Sequence, residues 1–401
     1  MHTIALLSLL AAASPAPACS TPSAAATASY PIHVPIEVVS NHVYVKVCVG
    51  ERELEFLLDT GAGQSFFDMG VARAAGLPLG AHFTARGAGA GTIDGAGVQN
   101  GSVALEATRV SVPVTAALDL SGLPPREGHR IDGVLGHNFV AQYVVTIDYV
   151  KQELRLLDPD RFEYSGTGVS LPVTFAANHP VIAASLRLAN GDTVGGRFVV
   201  DVGASGALSL TGLFVEQNAL RSRVHPLVRR IGGGGVGGMA TSDIGRLAAL
   251  RLGGIEVRDV VTNLYGDSAG VMSGNADWIG NIGGDVLRRF TVFLDYRHSR
   301  IILEPHAGTS EAFEADMSGA GFTLADTPGR LVVADVARQS PASESGLAVG
   351  DTIVAINGVV PGEHILPELR QRLHHEGESV ELTIVRGGKT TIVRFRTRRL
   401  I

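Results

Sequence analysis

Cysteine is almost absent from this chain: Cys19 and Cys48 are the only two in 401 residues. Two thiols cannot build a multi-disulfide scaffold or a CxxC metal knuckle, so the fold is expected to be held by its core. Charge is sparse as well, at 18% Asp, Glu, Lys and Arg against about 25% in an average soluble domain. With 33 basic and 39 acidic side chains the net charge is −6, which gives no general attraction to polyanions and argues against nucleic acid as a partner. After residue 13 no segment of the ~20 residues needed to cross a bilayer is free of Gly, Pro and charge, so no transmembrane helix is expected. Glycine, in contrast, is abundant, at 50 residues, and it clusters between short β-branched runs instead of recurring every third position. That pattern predicts strands joined by tight turns and excludes collagen.

Residues 4–13 form an apolar run of signal-peptide length, and Ala16-Pro17-Ala18 is a small-x-small cleavage pattern just before Cys19. The n-region, Met1-His2-Thr3, lacks Lys and Arg. Cys19 resembles the lipid-attachment cysteine of bacterial lipoproteins, although Ala16 stands where those signals usually have Leu. Residues 1–29 are therefore expected to be a leader and tether, and the chain to be exported, either periplasmic or membrane-anchored through a lipidated Cys19.

From about residue 34 the chain reads as short alternating strands, and three landmarks recur in the same order. Leu57-Leu58-Asp59-Thr60-Gly61-Ala62 returns as Val199-Val200-Asp201-Val202-Gly203-Ala204. Gly133-Val134-Leu135-Gly136 returns as Gly280-Asn281-Ile282-Gly283, and Val145-Thr146-Ile147-Asp148-Tyr149 as Val292-Phe293-Leu294-Asp295-Tyr296. Duplication predicts two β lobes, at 30–160 and 161–307. Each copy also carries a Gly-dense stretch, around Gly89 and Gly91 in the first and Gly234 and Gly235 in the second. A phosphate loop would need a helix after the glycines; none is indicated, and a mobile hairpin over a cleft fits better.

An Asp after two apolar residues and before x-Gly is a carboxylate at a strand end, on a turn that needs glycine. A single copy would read as an ordinary turn. Two copies in a duplicated chain can meet across a pseudo-twofold axis, where like charges in contact cannot both ionise and so share a proton. One carboxylate can then activate water while the other protonates a carbonyl oxygen, with no metal or other cofactor required. Asp59-Thr60-Gly61-Ala62 together with Gly133-Val134-Leu135-Gly136 resembles the signature of a retropepsin-like aspartic protease lobe. The resemblance implies a mainly β fold of two β-barrel lobes, with Asp59 and Asp201 as the catalytic pair. Thr60, Gly61, Val202 and Gly203 would support the active-site turns, and the glycine-rich stretches would be flaps. The second lobe departs at Val202, where the family has Thr, and at Asn281, where it has an apolar residue. The lost hydroxyl at 202 leaves Thr60 in need of another partner. Ala62 and Ala204 stand where acid-active relatives carry a hydroxyl, which predicts a dyad that keeps its proton to higher pH.

Residues 306–316 are short, polar and acidic, and read as a linker. Beyond them, Gly321-Phe322, Ser340-Pro341-Ala342, and Gly350-Asp351 through Ile356-Asn357-Gly358 resemble a PDZ domain over 317–401, a small β-sandwich with one or two helices. The resemblance implies that Gly321 and Phe322 capture a peptide C-terminus or internal segment by strand addition. These features together predict an exported aspartic endopeptidase acting on peptide or protein substrates. The alternative is a non-catalytic peptide-binding protein with a degenerate cleft.

Overall fold

The computed structural model describes Cys19 and residues 29–401 apart from 106, 107, 109, 267–269, 275 and 363. The apolar run at 4–13 and the cleavage pattern at 16–18 lie outside the described residues. The protein is mainly β, with 47% strand and 13% helix.

Both halves are built on one unusual motif. In the first, Arg52–Leu58 runs parallel to Gly133–Leu135, which in turn pairs antiparallel with Phe66–Asp68. The second repeats it, with Thr193–Val200 parallel to Gly280–Ile282 and the latter antiparallel to Leu208–Leu210. A chain that threads between two strands of its own loop leaves no room for side chains at the crossing. A Cβ on Gly136 would lie 2.4 Å from the Gln64 carbonyl oxygen, and one on Gly283 2.3 Å from that of Gly206.

The lobes are joined by a continuous sheet. Val144–Asp148 pairs antiparallel with Phe290–Asp295, register Val145 to Leu294, and these are equivalent strands of the two copies. Every residue of Val144–Asp148 is buried, and a single hydrophobic cluster draws on both lobes, including Val145, Ile147, Leu154, Val292, Leu294 and Leu303. Asp148 and Asp295 close the hairpins that follow, accepting from the Lys151 amide and from His298 and Arg300 respectively. The last sheet, of five antiparallel strands from Ala320–Leu324 to Lys389–Arg396, carries its own core with Leu331, Ile353, Leu366, Leu369 and Ile384.

Two expectations change. The segment after Pro305 is not a free linker. Phe313 is buried in the main core, and fully buried Arg289 lies 3.7 Å over its ring. The Arg289 guanidinium donates to the carbonyls of Asp285, Glu311 and Ala312, so a charge that would be costly alone is satisfied on all sides. The cysteines also differ from expectation, because Cys19 is bonded to Cys48 on His42–Val49. A sulfur in that bond cannot carry a thioether at the same time. Non-reducing peptide mapping of the purified chain is expected to recover the Cys19 and Cys48 peptides linked, with no free thiol; a free Cys48 would show the pairing wrong.

Candidate active site

Asp59 follows the buried pair Leu57-Leu58, and Asp201 the pair Val199-Val200, so each carboxylate is carried past the end of a core strand. The Asp59 amide donates to the Leu135 carbonyl and the Asp201 amide to that of Ile282, both at 2.9 Å. Each turn closes alike, the Ala62 amide returning to the Asp59 carbonyl and the Ala204 amide to that of Asp201, both at 3.3 Å. The crossing strands thus hold the turns from beneath, and the pseudo-twofold brings them together. A Cβ on Gly61 would lie 2.8 Å from the Asp201 carboxyl carbon, and one on Gly203 2.2 Å from that of Asp59. Only glycine permits this approach of each turn to the opposite carboxyl.

The requirement placed on Thr60 is met. Its hydroxyl, wholly buried, donates to the Val200 carbonyl at 2.5 Å and accepts from the Val202 amide at 2.9 Å. The mirror-image pair of bonds has no side chain to make it, because Val202 is packed in the core. One hydroxyl therefore does on one side what two would do symmetrically.

The glycine-rich stretches are hairpin tips, between Leu79–Arg86 and Thr92–Val98 and between Val228–Gly235 and Gly238–Leu252. They meet each other. The Gly89 amide donates to the Val236 carbonyl at 3.0 Å, and the Gly91 amide to that of Gly237 at 2.8 Å. Gly234 and Gly235 form the inner edge of the second tip, a Cβ on Gly235 being 3.5 Å from that of Ala88. Each tip also leans on the opposite lobe: Ala88 against Ala240, Tyr265 and Met272, and Val236 against the cluster of Tyr44, Ala62, Phe66 and Val134.

Residues 45–139 match the family model described as aspartyl protease, and residues 332–386 that of the PDZ domain. The chain carries both domains. The aspartyl protease match includes Asp59 and both halves of the first crossing motif, and the second Asp turn enters through the duplication. No curated protein matches the chain.

Electrostatics make the aspartyl protease cleft asymmetric. Burial holds Asp59 well above the usual carboxylate range, and the neighbouring Asp201 charge pushes the same way. Burial also raises Asp201, but Asn281 Nδ2 donates to its Oδ2 at 2.6 Å and opposes the rise. Asp59 Oδ1 is buried with no hydrogen-bond partner. The Asn281 amide thus favours charge on Asp201. Asn281 is a site residue that sequence reasoning noted only as a departure; a polar residue where its repeat has Val134 was the signal.

Gly321 and Phe322 lie on the PDZ edge strand Ala320–Leu324, beside the second flap. Phe322 is buried in the PDZ core, and Arg230, from the second flap, reaches within 3.4 Å of a Cβ on Gly321. Arg230 Nε donates to Asp335 at 2.5 Å and Nη1 to Asp316 at 2.8 Å. The loop before the edge strand already holds a carboxylate, since Asp316 accepts from the Ser318 and Gly319 amides at 3.2 and 2.7 Å. The short lobe-one helix Pro124–Glu127 packs on that strand, Ala320–Leu324. A Cβ on neighbouring Gly128 would lie 2.9 Å from Leu366 on the PDZ helix Ile365–Leu373.

Away from the dyad, Glu37, Glu55 and His129 place ligand atoms within 4.8 Å of one another and are the described residues that could hold a cation. His129 Nε2 lies 3.2 Å from Glu55 and its ring packs on Tyr44.

Two variants test this geometry. Thr60→Val should cost about 1–3 kcal/mol in unfolding experiments by orphaning the Val200 carbonyl and Val202 amide, whereas Thr60→Ser should cost little; equal effects would show that the hydroxyl is not the tie. Asp59→Asn should raise the thermal midpoint near neutral pH. The Asp59 carboxyl titrates above its unfolded range, so the stability from burying it neutral is complete in acid and is lost as pH rises through the folded value. The gain should therefore shrink toward zero in acid, and a pH-independent gain would contradict it.

Proposed function

We propose that the chain is an exported aspartic endopeptidase whose water-activating pair is Asp59 and Asp201. The observation that carries the reading is the meeting of two half-buried aspartates across a pseudo-twofold, each carboxyl against the other's turn glycine. A water held between them loses a proton to ionised Asp201 as its oxygen bonds to the peptide carbonyl carbon. Protonated Asp59 gives its proton to the carbonyl oxygen. Collapse of the tetrahedral diol breaks the C–N bond, the proton on Asp201 passing to the leaving nitrogen and a diol proton returning to Asp59. Both carboxyls end as they began, and no covalent intermediate forms.

Asn281 supports these roles by stabilising charge on Asp201. The flaps, bonded tip to tip, must part to admit a chain and then exclude water from it. Glycine-rich tips suit substrates bound through their backbones, which agrees with peptide or protein substrates. Because burial raises both members of the dyad and no hydroxyl follows either turn glycine, the acid limb should sit in mildly acidic to neutral conditions. The pair titrates as a unit. The Cys19–Cys48 disulfide supports an oxidising destination such as the periplasm. Peptide or partner recruitment by the PDZ domain would have to displace the helix Pro124–Glu127, which packs on its edge strand.

A digest of an unstructured protein by the purified chain should give fragments that Asp59→Asn and Asp201→Asn abolish, with maximal kcat/KM outside strongly acid pH. Equal cleavage by either variant would favour the non-catalytic peptide-binding alternative and assign the cutting to a contaminant.

A further inference from the structure

Position 202 has no hydroxyl, yet side chains from two distant hairpins hold the Asp turns together. The turn between Ile32–Val39 and His42–Val49 sends Asn41 Nδ2 to the Ser205 carbonyl of lobe two at 2.9 Å. Its counterpart, between Thr174–Ala176 and His179–Arg187, sends Asn178 Nδ2 to the Gly63 carbonyl of lobe one at 3.2 Å. Gly63 and Ser205 occupy the same place in their turns, two residues beyond Gly61 and Gly203. Both asparagines are left-handed, with φ of 69° and 68°, a conformation that Asn tolerates and that aims its short amide. The fit leaves no slack, since a Cβ on Gly63 would lie 3.1 Å from the Ala177 carbonyl and one on Gly284 2.4 Å from that of Asn41.

We propose that Asn41 and Asn178 are positioning residues for the carboxyl pair, reciprocal braces of which Asn178 makes the lobe-two to lobe-one tie that Val202 cannot. The inference rests on the dyad reading above. In the full chain, Asn41→Gly and Asn178→Gly keep the left-handed turns and remove only the amides. Each should lower kcat by about tenfold or more with KM nearly unchanged, as expected when reacting groups are displaced slightly. Val202→Thr should restore most of the loss in the Asn178→Gly chain by supplying the missing hydroxyl. Unchanged kcat, a loss confined to KM, or failure of Val202→Thr to rescue would each overturn the proposal. A readout without turnover separates it from the activity itself. The pH-dependent gap in thermal midpoint between parent and Asp59→Asn reports how closely the carboxyls are held, and the double Gly variant should shrink it. An unchanged gap overturns the braces whether or not the chain cuts peptides.

A different set of contacts carries a second proposal. The second flap is held at its root by Arg230, bonded to Asp316 and Asp335. Near its tip, Arg126 Nη2 donates to the Gly235 carbonyl at 2.9 Å. Arg370 of the PDZ helix in turn donates to the carbonyls of Arg126 and Glu127, the open end of the short helix that presents Arg126. We infer that the PDZ domain is a latch that keeps the second flap, and through it the first, closed over the cleft. Hydrogen exchange on the full chain tests this. Arg230→Met and Arg370→Ala should each speed exchange at residues 87–91 and 228–238 by about tenfold while Arg52–Leu58 and Thr193–Val200 keep their protection. No change in either variant, or a uniform rise across both lobes, would overturn the latch. Should Arg230→Met fail to fold, Arg370→Ala, whose side chain is not enclosed by two carboxylates, decides the matter.

Discussion

The meeting of two half-buried carboxyls across the pseudo-twofold is the constraint on which the rest of the protein depends. It is unfavourable in itself, since burial and like charge both oppose ionisation, and it persists because the scaffold around it is over-determined. The crossing strands fix each turn from below, the Val144–Asp148 and Phe290–Asp295 pairing fixes the lobes laterally, and Gly61 and Gly203 remove the side chains that would hold the turns apart. The strain of the site is borne by a core that spans both lobes. A function that needs a proton shared between two groups is thereby tied to the integrity of the whole bilobal body.

Duplication supplies the symmetry and divergence breaks it. Thr60 ties the opposite Asp turn at both Val200 and Val202 with one hydroxyl, while Val202 is absorbed into the core. Asn281 replaces an apolar residue and donates to one carboxyl only. The two departures act in the same direction, because each distinguishes Asp59 from Asp201. In a symmetric pair the two carboxyls have the same surroundings; here Asp201 accepts from Asn281, and Val134 stands at the equivalent place in the first copy.

The flaps and the PDZ domain form a second layer, coupled to the first through arginines. Arg126, Arg230 and Arg370 join backbone carbonyls and carboxylates across three units of the chain. Arginine suits this work, since its planar fork can satisfy several acceptors without titrating. The PDZ fold appears here as a partner to its own protease lobes, its edge strand packed by Pro124–Glu127 and its loop holding Asp316 in place of an external carboxylate.

Much of this was legible along the chain. The alternation of apolar residues announced strands, the repeated Asp-x-Gly-Ala and Gly-x-x-Gly elements announced two lobes and the facing aspartates, and the glycine runs announced hairpins over a cleft. These are local patterns, set by backbone periodicity and by glycine's freedom. The Asn-His pair that recurs at 41–42 and 178–179 was a repeat of the same kind and went unread, because two residues carry little weight until the turns they reach are known. Other features had no local signal at all. That Cys19 closes on Cys48, that Phe313 anchors a polar segment, that Asn281 faces Asp201 and not Asp59, and that Arg230 crosses to the PDZ domain all depend on which surfaces the folded chain brings together. Sequence spacing determined the kind of site this protein has, since the chemistry needs only two equivalent turns. Tertiary packing decided which carboxyl accepts from Asn281 and what the hairpin tips rest on, because desolvation and hydrogen bonding are properties of neighbours that the chain acquires only on folding.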